Sequence, residues 1–303
     1  MKTAILIPCL NEEQTVARVI RDFRKELPDA DIHVFDNAST DNTVQEAFAA
    51  GASVHRECRR GKGFVVQSMF RAVEADIYVM VDGDDTYPAP EVHELVRPIA
   101  EGKADMVVGS RFLAEASEFH ALNLAGNKLF LGMVNVLFGA RLTDMLSGYR
   151  AMSRRFVKGL PLVVPGFEIE TELSIKAVER GFRIVEVPTR LRKRPEGSFS
   201  KLRRFHDGVR ILRTILALVR DYRPLLVFGG AGAVLGALTA ATALFNGSPL
   251  LVMGTLTAAI GSTLAGLIVN TVSRRLREVE VLSRLAAPDE RLAEVENATS
   301  KAA

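Results

Sequence analysis

From Leu225 to Ser273 the chain carries no Asp, Glu, Lys or Arg. Uncharged stretches of that length cross a bilayer or, failing that, form a buried helical hairpin in a soluble core. Leu225–Phe245 and Leu250–Val272 are each long enough to cross at about 20 residues per span. Asn246-Gly247-Ser248-Pro249 between them is a turn signal. Gly229, Gly230, Gly232 and Gly236, with Gly254, Gly261 and Gly266, suit close helix–helix packing in lipid. Arg220 and Arg223 precede the pair, and Arg274, Arg275 and Arg277 follow it. Positive charge at both outer ends places both termini in the cytoplasm of a multi-pass cell-membrane protein. The pattern predicts a two-helix transmembrane hairpin over 225–273 and a cytoplasmic tail over 274–303.

Just upstream, Leu202, Phe205, Val209, Leu212, Leu216 and Val219 recur at helical spacing. Arg203, Arg204, Arg210, Arg213 and Arg220 take other positions. That pattern fits an amphipathic helix lying in the headgroup plane over 202–224. An ordinary amphipathic helix on a domain surface is the plainer alternative.

The first 201 residues read differently. Ala4–Ile7, Ile32–Phe35, a short strand at Val54, Ile77–Val81 and Met106–Gly109 have strand character. Helical patterns separate them over Glu13–Lys25, Thr40–Ala50, Phe64–Glu74 and from about Glu91. Such alternation predicts an α/β domain over 1–201, a mostly parallel sheet with helices on both faces. At 48% hydrophobic residues the chain can fill a substantial core, and a net charge of +3 gives no reason to expect nucleic acid. The two cysteines, Cys9 and Cys58, form neither a zinc pattern nor a disulfide framework, which suits a reducing compartment. The apolar run after Met1 is too short for a signal peptide and reads as the first strand.

Polar clusters stand where three of these strands end. Pro8-Cys9-Leu10-Asn11-Glu12-Glu13 follows the first and Asp36-Asn37-Ala38-Ser39-Thr40-Asp41 the second. Asp82-Gly83-Asp84-Asp85 follows the fourth. Each alone is explained by turns and helix caps. Together, at the carboxyl ends of parallel strands, they mark the edge where open α/β sheets bind ligands. Two carboxylates flanking a glycine suit a hard divalent cation that also touches phosphate oxygens.

In these pieces the sequence resembles the family 2 glycosyltransferases of GT-A, Rossmann-like fold, and among them the polyprenyl-phosphate sugar synthases. Gly61-Lys62-Gly63, Asp82-Gly83-Asp84-Asp85-Thr86-Tyr87-Pro88, Gly109-Ser110-Arg111, Asp144-Met145-Leu146-Ser147-Gly148-Tyr149-Arg150 and Arg194 to Leu202 complete the ordered set. The resemblance implies that Pro8, Asn11, Glu12 and Asp36, helped by Lys62, hold the base and ribose of a nucleotide sugar. It implies that Asp82 and Asp84 are the DxD pair, Asp84 on Mg²⁺ or Mn²⁺ and Asp82 near the ribose. Asp144 would face the donor sugar or the metal, and Arg111, Ser200 and Lys201 would meet phosphates.

The implied activity is inverting transfer of a hexose from a nucleotide sugar to polyprenyl phosphate at the membrane. The Asp-Gly-Asp-Asp-Thr-Tyr-Pro form favours a UDP-sugar over GDP-mannose, by analogy. One departure stands out. The arginine and serine common in the helix after Arg111 are missing from His120-Ala121-Leu122-Asn123-Leu124-Ala125-Gly126-Asn127-Lys128. His120, Asn123 or Lys128 could replace them. A polysaccharide synthase acting on a hydroxyl acceptor is disfavoured, because the chain lacks tryptophan and so lacks the Gln-x-x-Arg-Trp motif. A non-catalytic membrane-anchored partner that keeps the fold is the reading from another class. Homo-oligomer formation is compatible with the sequence.

Overall fold

Strand β1 (Thr3–Cys9) is apolar on both faces, as a strand covered by helices on both sides must be. The computed structural model describes residues 1–113, 121–192, 204–245 and 247–286. Its central sheet adds β2 (Asp31–Asp36), β3 (Ser53–Arg56), β4 (Ile77–Met80), β5 (Met106–Ser110), β6 (Arg150–Ser153) and β7 (Ile184–Pro188). The seven strands run in the order β3-β2-β1-β4-β6-β5-β7. All pairs are parallel except those of β6, which is antiparallel to both β4 and β5.

Helices fill the intervals: α1 (Val16–Glu26), α2 (Thr43–Ala49), α3 (Lys62–Ala72), α4 (Val92–Ala100), α5 (Ala121–Phe138), α6 (Arg154–Gly159) and α7 (Ile169–Glu179). Alternate β1 side chains feed two cores. Ile5, Ile7 and Cys9 join Val19, Ile20 and Phe23 of α1 and Val92, Leu95 and Ile99 of α4. Ala4 and Leu6 join Val65, Val66 and Met69 of α3, Phe156 of α6 and Leu173 of α7. Each of the Val, Leu, Ile, Phe and Met side chains among them contributes roughly 1.5–3 kcal/mol by leaving water. From β1 the chain builds outward through β2 to β3, then crosses to β4 on the other side. The β1–β4 boundary is thus a topological switch point, and the carboxyl ends of the strands there are where open α/β sheets bind ligands.

The sequence-predicted strands and helices are all present, with ends shifted. The first helix starts at Val16 rather than Glu13, because Asn11 to Glu13 are held in a loop. The second starts at Thr43 rather than Thr40, its entry fixed by the Asp41 carboxylate accepting from the Thr43 N–H. Strands β6 and β7, beyond the last sequence-predicted strand, complete the sheet.

Helix α8 (Arg204–Tyr222) buries Ile211, Ile215, Leu218 and Val219. Of the apolar positions picked out by sequence, Val209 and Leu216 are exposed and Leu212 is half-buried. The helix therefore has two apolar strips, one inside the protein and one open.

The chain divides into two compact units, Met1–Leu216 and Ala217–Ala303. In the second, a π-helical turn (Leu225–Gly229) leads into α9 (Gly230–Leu244), and α10 runs from Pro249 to Ala286 without a break. It thus continues well beyond Val272. Small residues let the two backbones approach: a Cβ on Gly232 would lie 2.3 Å from Thr263 Oγ1, and one on Gly266 2.8 Å from Phe228 Cβ. Ser262 Oγ donates to Phe228 O at 2.8 Å, and Thr239 Oγ1 to Thr255 Oγ1 at 2.8 Å. Leu225–Leu244 and Pro249–Leu276 are long and apolar enough to cross a membrane, with only 6% and 11% of their most apolar windows buried. Exposure on that scale is the opposite of a hairpin enclosed in a soluble core.

Candidate functional site

Among the described residues three non-glycine residues have left-handed backbone: Asn11 (φ 53°), Ala38 (φ 60°) and Asp85 (φ 56°). They stand in the loops after β1, β2 and β4, one in each. A strained residue of this kind costs about 1–3 kcal/mol and persists where its surroundings over-determine it. Here they do. The Asn11 N–H donates to Ser39 Oγ at 2.9 Å, and Asn11 Oδ1 accepts from the Thr40 N–H at 2.8 Å. The Glu12 N–H donates to Thr43 Oγ1 at 2.8 Å, and Glu13 Oε2 accepts from the Asn42 N–H at 2.9 Å. Asn37 donates to the carbonyls of Glu57 and Arg59 and accepts from the Gly61 N–H at 2.7 Å. Asp36 is fully buried and accepts from the Ser39 N–H at 3.2 Å. Pro8, Asn11, Glu12 and Asp36 are thus brought together at the carboxyl ends of β1 and β2 and the loops that follow.

The acidic loop after β4 is stitched to the same edge of the sheet. Thr15 Oγ1 donates to Gly83 O at 2.6 Å. A Cβ on Gly83 would lie 2.7 Å from Cys9 Sγ, so this loop meets β1 only with glycine there. Asp82 Oδ1 accepts from Lys62 Nζ at 2.6 Å, and Lys62 also pairs with Glu170 Oε1 of α7 at 2.6 Å. Asp84 is buried and takes the Thr86 hydroxyl at 2.6 Å and the Thr86 N–H at 3.2 Å on one oxygen. Asp85 faces away, toward Arg18 at 3.3 Å and Arg192 at 3.5 Å. Burial pushes the Asp85 carboxyl up from its ordinary range, against the pull of those two arginines.

The third part lies beyond β5. Arg111 grips Asp144 in a fork, Nε to Oδ2 at 2.6 Å and Nη2 to Oδ1 at 2.8 Å. The Arg111 N–H adds a bond to Oδ2 at 3.1 Å. Asp144 is held from behind, since Glu186 of β7 accepts from the backbone N–H groups of Thr143 and Asp144. Burial alone would lower the Arg111 pKa, but Asp144 and its neighbours hold it above the ordinary value. Gly148 joins this part to the DxD loop. Its N–H donates to the Tyr87 hydroxyl at 3.0 Å, and its Cα sits against the Asp82 carboxylate. Fully buried Arg150 braces the same turn by donating to Ser147 O, Met145 O, Ser174 Oγ and Glu170 O. Burial lowers its pKa, its hydrogen-bond acceptors among the described residues being neutral.

The sequence-predicted residues thus converge, with two changes of emphasis. Lys62 is locked between two carboxylates, and Arg111 is bound to Asp144. Ser200 and Lys201 lie outside the described residues, as do His120 and the side chain of Asn123. Lys128 is exposed on α5. Sequence reasoning missed Glu170 and Glu186. The acidic alternation Glu168-Ile169-Glu170-Thr171-Glu172 was the available signal for the first; all three carboxylates are buried at the start of α7.

A divalent ion fits the donor set. Asp82 and Asp84 offer hard oxygens one residue apart in the loop after β4. Among the described residues no group of three or more His, Cys, Asp or Glu could form an all-protein cage. Mg²⁺-type ions in phosphate chemistry use one or two carboxylates and complete their shell with substrate phosphates and water.

Comparison with known proteins gives concordant results. The model of the family described as Glycosyl transferase family 2 matches residues 4–160. The chain is 36% identical to glycosyltransferase AglJ of Haloferax volcanii over 230 residues, 75% of each protein. It is 30% identical to a dolichyl-phosphate hexose transferase of the same organism, covering 73% of this chain and 95% of the relative. Among solved structures it resembles glucosyl-3-phosphoglycerate synthase from Mycobacterium tuberculosis in complex with Mn²⁺, UDP-glucose and phosphoglyceric acid. The TM-score is 0.57 at 26% identity, over 73% of this chain and 79% of that one.

Proposed function

We propose that this chain, which belongs to glycosyl transferase family 2, moves a hexose from a nucleotide sugar to polyprenyl phosphate at a membrane surface. The observation that carries this reading is the placement of Asp82 and Asp84 at the β1–β4 switch point, joined through Gly148 to the Arg111–Asp144 pair. The loops that would take the donor and the Arg111–Asp144 pair then share one strand-end edge. The dolichyl-phosphate hexose transferase relative supports the lipid acceptor, and the structural neighbour with UDP-glucose and Mn²⁺ supports a UDP-sugar donor.

In this reading Pro8, Asn11, Glu12 and Asp36 receive the nucleoside, and Lys62 and Asp82 the ribose–diphosphate side. Asp84, with Asp82, holds Mg²⁺ or Mn²⁺, which when bound stabilises the leaving nucleoside diphosphate as a Lewis acid. Asp144 orients the donor sugar. Arg111, Ser200 and Lys201 capture the acceptor phosphate. A hydroxyl acceptor has to lose a proton as it attacks and calls for a base. A phosphate monoester is already anionic at pH 7, with a second pKa near 6. It needs alignment and charge stabilisation instead. One phosphate oxygen attacks the anomeric carbon from the face opposite the nucleotide, so the configuration inverts as that bond breaks.

The domain arrangement follows: catalytic domain over 1–201, interfacial helix over 202–224, hairpin over 225–273 and cytoplasmic tail over 274–303. The open strip with Val209 and Leu216, and the exposed apolar faces of α9 and α10, support membrane attachment. In sequence, Arg190, Arg192, Lys193, Arg194, Arg203 and Arg204 cluster just before the interfacial helix and at its start, and a cation that reaches the surface is worth about 1 kcal/mol toward anionic headgroups.

The test is a donor screen in detergent. Purified protein, Mn²⁺ and undecaprenyl phosphate are incubated with UDP-glucose, UDP-galactose, UDP-N-acetylglucosamine or GDP-mannose, and lipids are read by mass spectrometry. One donor should give hexosyl-phosphoryl-lipid. Donor turnover onto a non-lipid acceptor, with no lipid product, would overturn the acceptor assignment.

A further inference from the structure

The two glycines around Lys62 have a purpose that phosphate binding does not supply. A Cβ on Gly61 would lie 2.2 Å from Pro165 O, and one on Gly63 2.0 Å from Val164 O. Gly61 also has φ 138°, which L side chains rarely adopt. The start of α3 is therefore pressed against the backbone of 164–165, and the Gly63 N–H donates to Pro165 O at 2.9 Å. Gln67 of α3 donates to Val164 O at 3.2 Å.

That segment is itself fixed by α7. Glu172, fully buried and paired with Lys176 at 2.6 Å, accepts from the N–H groups of Val163 and Val164. Two residues earlier on α7, Glu170 points to the other side and meets Lys62. Gly-Lys-Gly is thus a close-packing motif: the glycines bring α3 and the segment leading into α7 together, and the lysine spans the join. Its two partners differ in kind. The Asp82 side chain keeps 28% of its surface exposed, whereas that of Glu170 keeps 5%. Asp82 is the partner a ligand reaches; Glu170 stays dry. Glu170 also lies outside residues 4–160, the part matched by the family model.

We propose that Glu170 is a positioning residue for donor binding: it anchors the Lys62 ammonium so that Lys62 stays at the Asp82 carboxylate when the nucleotide arrives. This inference rests on the donor reading above, not on the identity of the acceptor. With Glu170 neutral, Lys62 has one exposed partner left and follows it. With Glu170 charged, Lys62 keeps a fixed origin and Asp82 a fixed orientation. The Lys62 side chain is only 11% exposed, so its ammonium depends on the two carboxylates rather than on water. An ammonium this enclosed cannot exchange one partner for water without loss.

The experiment is a double-mutant cycle on nucleotide binding by the full chain in detergent. UDP and GDP, each with Mn²⁺, are titrated calorimetrically into wild type, Lys62→Ala, Glu170→Gln and the double variant, and thermal unfolding is followed in parallel. The tighter nucleotide should bind Glu170→Gln about tenfold more weakly, the worth of one charge-assisted hydrogen bond. The double variant should bind no worse than Lys62→Ala alone, because Glu170 acts only through Lys62. If Glu170→Gln does not fold, Glu170→Asp, which withdraws the charge by one methylene, carries the same cycle. Binding by folded Glu170→Gln equal to wild type, or losses that add in the double variant, would overturn the proposal. Glu172→Gln is the structural control: it should lower the melting temperature and show no such coupling to Lys62→Ala. Equal coupling there would also overturn it. A wild type that binds nucleotide but transfers nothing to polyprenyl phosphate refutes the acceptor reading and leaves this cycle to decide the role of Glu170.

Discussion

Gly148→Ala separates site geometry from overall stability. The new Cβ would stand 2.4 Å from Asp82 Oδ2, 2.9 Å from its Cγ and 3.0 Å from Oδ1. One side has to move. The backbone is poorly placed to do so. The Gly148 N–H is tied to Tyr87, the adjoining turn is held by Arg150 through Ser147 O at 2.9 Å and Met145 O at 2.6 Å, and the Tyr149 side chain is fully buried. Asp82 is the softer partner, because its side chain is partly exposed and can rotate outward. Rotation breaks the 2.6 Å contact with Lys62, which keeps Glu170. Overpacking costs about 1–3 kcal/mol where nothing can yield. A rotating carboxylate puts this case near the lower end, about 1 kcal/mol. For a unit the size of Met1–Leu216 that lowers the melting temperature by about 2–4 °C. Misplacing a positioning group by about 1 Å can cost about 100-fold in rate. The variant should therefore stay folded at the assay temperature and lose about two orders of magnitude in turnover at saturating donor and acceptor. Thermal unfolding and initial rates on the same preparation decide it. Turnover within about twofold of wild type would refute the role given to Asp82. A melting temperature depressed by more than about 10 °C would refute the assignment of the strain to one movable side chain.

Other perturbations test other parts. Asp84→Ala should remove turnover while the fold survives, the structural loss being one acceptor for Thr86, about 1–3 kcal/mol; near-normal turnover of the variant in EDTA would contradict the metal assignment. Glu57 is held by the Arg59 guanidinium and the Ser68 hydroxyl, which lower its pKa from 4.5 to about 2. The folded chain thus binds fewer protons here than the unfolded one, so the contribution to stability is whole above about pH 4.5 and fades as pH falls through about 2. Glu57→Gln should flatten that part of the stability–pH curve, and an unchanged acid limb would show that Glu57 is not its source. For topology, Ser248→Cys and Ser283→Cys are made in a Cys58→Ser background, since Cys58 is exposed and Cys9 buried. An impermeant thiol reagent added to intact cells should label the first alone; labelling of the second would sink the hairpin model.

Much of this was legible in the sequence because the signals were local. Charge-free length announced α9 and α10, and apolar runs alternating with helical patterns announced β1 to β5. Asp82 and Asp84 were legible because a strand end and an acidic turn are neighbours in the chain. What stayed hidden depends on contacts between distant segments. Strand β6 runs antiparallel between β4 and β5, a placement no local pattern encodes. Glu170 meets Lys62 only because Gly61 and Gly63 admit the 164–165 backbone. Arg111 reads as a free phosphate ligand in the sequence, yet it grips Asp144 across 33 residues of chain. On α8 the heptad-like strip through Val209 and Leu216 was visible, whereas the buried strip through Ile211, Ile215 and Leu218 emerged only with the fold.

The central claim is that a phosphate anion, not a hydroxyl, accepts the sugar. The direct measurement is competition between undecaprenyl phosphate and undecaprenol for the donor found in the screen, in one detergent reaction with Mn²⁺, with both lipid products quantified by mass spectrometry. Transfer should go to the phosphate alone, and the rate should rise with pH through about 6 as the second phosphate proton leaves. Equal transfer to undecaprenol would contradict both the acceptor assignment and the absence of a general base.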